Sequence, residues 1–142
     1  MSSEPALRRG LWAVAALASL GTAAELALLN HTGSPPQLVP FALCFLGVLA
    51  AGAGAWGGRQ AVLFARVVAV LLVVGSVFGV WEHLEHNYAF AAEIRPTATL
   101  PTLLKGAILG ASPLLAPGAL FLSGSLLALA SWKHPSRLPK PA

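Results

Sequence analysis

Four ionisable side chains fall within five consecutive positions of this chain, at the end of an apolar run. After Arg66 the sequence is apolar as far as Trp81, and it then reads Glu82-His83-Leu84-Glu85-His86-Asn87-Tyr88. Imidazole and carboxylate are the usual protein ligands of zinc, iron, manganese and copper. On a helix, residues four apart share a face and residues three apart share it more loosely, so Glu82 with His86 and His83 with His86 are the natural pairs. Glu25 or His31, near the end of the first apolar segment, could complete a set of three or four ligands. Glu25, Glu82, His83 and His86 are therefore the candidate metal ligands, for a single transition-metal ion. A di-iron carboxylate centre needs Glu-x-x-His on two helices. The run offers Glu82-x-x-Glu85 and His83-x-x-His86 instead, and the second and fourth apolar segments add no ligand. We favour the plainer reading, a hydrogen-bonded polar helix end at headgroup level.

Two other chemistries use the same residues. Glu25 lies about a turn inside the boundary of its apolar segment, where a carboxylate is costly unless partnered. A Glu25–His86 pair could relay protons or hydrogen-bond a quinone headgroup; the simpler role, which we prefer, is to tie two helices together. Membrane haem requires histidines facing each other across helices. Only a His31–His86 pair at the outer mouth meets that geometry, and His134 falls in the polar tail. The single cysteine, Cys44, excludes an intramolecular disulfide and a Cys-x-x-Cys pair. No Gly-x-Ser-x-Gly elbow and no phosphate-binding glycine loop occurs.

The elements that position these groups follow from composition. Of 142 residues, 56% are hydrophobic and 10% charged, with a mean hydropathy of +0.74. A soluble domain carries roughly 25% charged residues, so the chain reads as one integral membrane domain over residues 1–142. Four apolar segments reach the ~20 residues needed to cross a bilayer: residues 10–29, 38–56, 61–86 and 101–132. The expected fold is all-α, a transmembrane four-helix bundle. Small residues at helical spacing mark the contact faces: Ala18, Gly21 and Glu25; Gly47, Ala51 and Ala55 with Ala50, Gly54 and Gly58; Gly75 and Gly79; Gly106 and Gly110. On a wheel, Glu82 and His86 continue the Gly75–Gly79 face and are expected to point into the bundle. Pro113 and Pro117 predict a kink or an unwound stretch in the fourth segment.

Charge sets the expected orientation. Arg8, Arg9, Arg59, Arg66, Lys133, Arg137 and Lys140 would lie at one end, and only Arg95 and Lys105 at the other. The positive-inside rule then places both termini in the cytoplasm and the loop 87–100 outside. Trp12, Trp56, Trp81 and Trp132 fall at expected interfaces. Arg8-Arg9, an apolar run and Thr22-Ala23-Ala24 look like a signal peptide, but the apolar run resumes after Glu25, and an uncleaved first span is expected. The Pro-rich tail, residues 133–142, reads as disordered.

The stretch Gly79-Val80-Trp81-Glu82-His83-Leu84-Glu85-His86-Asn87, then Phe90, Glu93 and Pro96, then Gly110-Ala111-Ser112-Pro113-Leu114-Leu115-Ala116-Pro117-Gly118, resembles small uncharacterised bacterial four-span membrane proteins. The resemblance covers about the second half of the chain. It implies a multi-pass protein of the bacterial inner (plasma) membrane and no particular activity. The expected function is a non-enzymatic accessory or structural subunit, with the lipid bilayer and a membrane-protein partner or second copy as neighbours. The alternative is a redox, metal-binding or proton-handling component built on the Glu/His run. Basic residues without interleaved aromatics give no nucleic-acid surface.

Overall fold

The computed structural model describes residues 3–135, and all of its regular structure is helical: α1 Ser3–Leu28, α2 Pro35–Trp56, α3 Arg59–Ile94, α4 Leu100–Leu109 and α5 Gly118–Ser131. The expectation of a disordered tail falls mostly on residues 136–142, outside the described residues, as do Arg137 and Lys140. Helices α1, α2 and α3 are each long and apolar enough to cross a membrane.

Local chemistry sets the boundaries. Helix α1 ends in a Schellman motif: His31 N–H donates to Leu26 O at 2.9 Å and Asn30 N–H to Ala27 O at 3.1 Å. Asn30 takes the left-handed conformation this requires, at φ 51°. Helix α2 starts on Pro35 and Pro36, which lack only donors a first turn leaves unpaired. The Gln37 side chain reaches back to accept the Gly33 N–H at 2.6 Å. Helix α3 has 36 residues, a length of about 54 Å, against about 30 Å for a hydrocarbon core.

Two of the sequence expectations change here. The loop expected after the third apolar segment, 61–86, starts later, because the helix runs on to Ile94. The fourth, 101–132, is not one helix: residues 110–117 are irregular and separate α4 from α5. The expected break at Pro113 and Pro117 is thus a full interruption. Neither proline can donate to a helix ladder, and each ring clashes with the preceding turn.

Helices α1, α2, α3 and α5 close a ring of contacts, α1 on α2, α2 on α3, α3 on α5 and α5 on α1, while α4 lies on α3 alone. The ring is seated on glycines. Gly54 of α2 receives the indole of Trp12 from α1, Gly47 faces Ser19, Gly75 of α3 receives Leu43 of α2, and Gly124 of α5 lies against the Ala69 carbonyl and Leu72 of α3. Close backbone approach is the main attraction between helices in a medium as apolar as their side chains.

The α1 stripe differs from the one expected. Trp12, Ala15 and Ser19 are the buried positions, whereas Gly21 has open space around it and Glu25 is exposed. Trp12 was expected in an interfacial belt, and at 2% exposure it is a core residue. The ring needs a large side chain opposite Gly54, and the indole fills that gap. Trp56, Trp81 and Trp132 are exposed, Trp56 at 89%.

The end of the ring where α1 begins and α5 finishes has its own anchoring. The last carbonyls of α5 have no partner within the helix. Arg8 of α1 donates to Ala130 O at 2.9 Å and Trp132 O at 2.7 Å, and Arg66 of α3 donates to Ser131 O at 2.6 Å. Two guanidinium groups from neighbouring helices therefore cap the negative end of the α5 dipole. Arg8 also pairs with Glu4 at 2.8 Å.

Candidate functional site

The opposite, far end of the ring holds the Glu/His run. Its most buried polar residue is Asn87, at 3% exposure. The Asn87 Nδ2 donates to Ala107 O at 3.1 Å and to Ser112 O at 2.8 Å, and its Oδ1 accepts the Ser112 N–H at 2.9 Å. One side-chain amide thus satisfies the last turn of α4 and the start of the break. One turn earlier, His83 Nδ1 lies 2.7 Å from Pro113 O. A carbonyl only accepts, so Nδ1 carries the proton there and the lone pair of the neutral ring is on Nε2.

Glycines bring the two segments this close. A side chain at Gly110 would overlap the Asn87 amide, and one at Gly79 would stand 2.9 Å from the Pro117 ring. Gly106 likewise lies against Ala91. Gly79, His83, Asn87 and Ala91, spaced by four along α3, form one continuous seat for α4 and the 110–117 break.

The four expected ligands are spread out. Glu25 and His86 are exposed, and Glu82 and His83 are half-buried. Among the described residues, no three His, Cys, Asp or Glu side chains gather closely enough to hold a metal ion. The inward direction assigned to His86 is corrected: Asn87 is the inward residue, and His83 is the histidine engaged with the break. The reason lies in the helix wheel. At about 100° per residue, the buried α3 positions Ala65, Ala69, Leu72, Ser76 and Asn87 centre roughly 60° away from Gly79. Gly75 meets Leu43 of α2 and Gly79 meets Pro117 of the break, so the two glycines mark one edge of the buried face and extrapolation along them misses its centre.

His31 is fixed in position by the Schellman motif at the end of α1. Its pKa is lowered from the ordinary histidine value by burial first and by the His83 charge second. His134, at the other end, is lowered by burial and then by Arg8 and Arg66.

Sequence pattern alone does not single out Asn87, because it falls at the start of the expected loop 87–100. The available signal was its spacing, four from His83 and eight from Gly79, opposite a segment with Gly110 and two prolines.

No protein-family model, curated protein or solved structure matches this chain. Its class is therefore defined by the fold alone: an all-helical protein with three membrane-length helices and a fourth, interrupted helical segment.

Proposed function

We propose that this is a multi-pass protein of a bacterial inner membrane, a four-helix bundle with both termini in the cytoplasm, acting as a non-enzymatic accessory or structural subunit. In this reading α1, α2, α3 and α5 cross the bilayer. The distal part of α3 and helix α4 form a cap on the outer side. Helix α5 has 14 residues, about 21 Å, so the break completes the fourth crossing. Irregular backbone at that depth is tolerated only when protein groups satisfy it.

The observation that carries the reading is the use of the far-end polar groups. Asn87 and His83 are spent on carbonyls and an amide of α4 and the break, which is structural work. Seven exposed large apolar residues on α3 alone, from Leu63 to Val77, suit a lipid or helix neighbour. Blue-native electrophoresis of mildly solubilised membranes tests the subunit reading. The chain, 14.6 kDa, should migrate in a larger assembly, and migration as a single copy would contradict it.

A second reading keeps the metal or proton chemistry, in a narrower form. His83 presents Nε2 while its Nδ1–H is held by a carbonyl, the arrangement common to metal-bound histidines, and His31 is its electrostatic neighbour. Glu82, Glu25 and His86 would have to move to join them. Elemental analysis and absorption spectra of the purified protein, with zinc, copper or iron added, decide this reading. Unchanged spectra and stability would remove it.

A further inference from the structure

Among the described residues, Arg95 and Lys105 are the only Lys or Arg side chains of the far end, and the fold brings them to one place. Arg95 follows the end of α3, Lys105 lies midway along α4, and both line a cleft of about 610 Å³ with Pro101, Thr102, Gly106 and Leu109. No acidic residue lines it. Glu93, two residues before Arg95, is exposed and outside it. Among the described residues the one ion pair is Arg8–Glu4, so neither cation of the cleft is neutralised by a carboxylate. The cleft is amphipathic as well as basic. Leu109 forms part of its wall, and Leu104, Ile108 and Leu109 are exposed along the adjoining surface of α4.

We infer that this cleft binds an anionic phospholipid, with the headgroup phosphate between Arg95 and Lys105 and an acyl chain along Leu109 and Ile108. A guanidinium offers a planar fork of donors matched to phosphate oxygens, and an ammonium adds a compact point charge. The Thr102 hydroxyl is a third donor in the same wall. A free phosphate would use the cations and leave the apolar wall in contact with water, whereas a lipid satisfies both halves. The inference rests on the membrane reading above. The two fail separately, because sidedness is measured by labelling and lipid binding by mass.

The test is native mass spectrometry of the detergent-purified full chain titrated with phosphatidylglycerol or with phosphatidylcholine of the same acyl chains. The tightest phosphatidylglycerol equivalent should weaken about thirtyfold in the R95Q/K105Q double variant, from about 1 kcal/mol per basic residue at a lipid surface. Phosphatidylcholine uptake should not change. K133Q, at the other end, should retain that equivalent. Wild-type affinity in R95Q/K105Q would overturn the assignment. Displacement of the lipid by millimolar inorganic phosphate would also overturn it, in favour of a soluble anion. Both residues are exposed, so the double variant should fold, and its unfolding temperature serves as the control.

Discussion

Asn87 and Ser112 exchange two hydrogen bonds, Nδ2 to the Ser112 carbonyl at 2.8 Å and the Ser112 N–H to Oδ1 at 2.9 Å. The pair closes a ring in which the side chain of α3 takes the place of a neighbouring backbone strand. It answers the difficulty created by Pro113 and Pro117, which leave the interrupted helix without its own ladder. Replacing Asn87 with Ala removes both bonds and the bond to Ala107 O, leaving buried backbone groups unpaired. The expected loss is about 1–3 kcal/mol, read as a lower unfolding temperature in detergent. Hydrogen exchange at the Ser112 amide should accelerate in step. An unchanged Ser112 exchange rate would show that water or another group holds that amide.

Glycine substitutions should divide by location. Gly110→Ala and Gly79→Ala place a methyl against Asn87 and the Pro117 ring, and wedging of this kind costs about 1–3 kcal/mol. Gly52→Ala meets nothing within 4 Å and sits inside α2, where Ala is the better helix former by roughly 1 kcal/mol. Thermal unfolding of the three variants should therefore give two losses and one neutral or stabilised protein. Equal effects at all three would mean that helix propensity, rather than contact, governs these positions.

At the other end, α5 depends on cations that its own sequence does not provide near its last turn. The Arg8→Gln/Arg66→Gln pair removes three charge-assisted bonds to Ala130, Ser131 and Trp132. A bond to a charged group contributes about 1.5–3 kcal/mol, and both arginines are half-buried rather than fully enclosed, so the lower end of that range applies. Exchange of the last-turn carbonyl partners is read by fraying: protease nicking after Ser131 should rise in the double variant and less in each single one.

Stability should also fall in mild acid. The pKa values of His31 and His134 are lowered in the folded protein, so the unfolded chain takes up protons at a higher pH than the folded one. Their contribution is full above the unfolded value near 6.5. It declines as the pH drops below that value and is lost once the pH has passed through the folded values. Unfolding temperature measured from pH 7.5 to 5 should decline, and the decline should be shallower in His31→Gln/His134→Gln. A flat profile in the wild-type protein would remove these two groups from the account.

Much of this architecture is legible in the residue order. Length and apolarity mark α1, α2 and α3, and Pro113 with Pro117 marks the break. Gly47, Gly54, Gly75, Gly106 and Gly110 all sit at helix contacts, as their spacing suggests. The contacts themselves are less legible. Trp12 resembles an interfacial aromatic until Gly54 is placed opposite it. Asn87 looks like a loop residue because nothing in the local pattern of α3 requires the helix to continue past His86. What holds it helical is tertiary: α4 folds back along Ala91 and Asn87. The glycine pattern therefore points His86 inward where the structure buries Asn87, because glycine positions define where a neighbour comes close and not where the buried face is centred.

The central claim is that α5 and the break make a fourth crossing, so that residues before α1 and after α5 share one side of the membrane and the Asn87 region faces the other. Single cysteines at Arg9, Glu85 and Lys133, all exposed, can be labelled in intact cells with a membrane-impermeant maleimide, in a Cys44→Ala background. With a fourth crossing, E85C should label from outside, and R9C and K133C only after the membrane is opened. Labelling of K133C from outside together with E85C would mean that α5 does not cross, and would contradict the account.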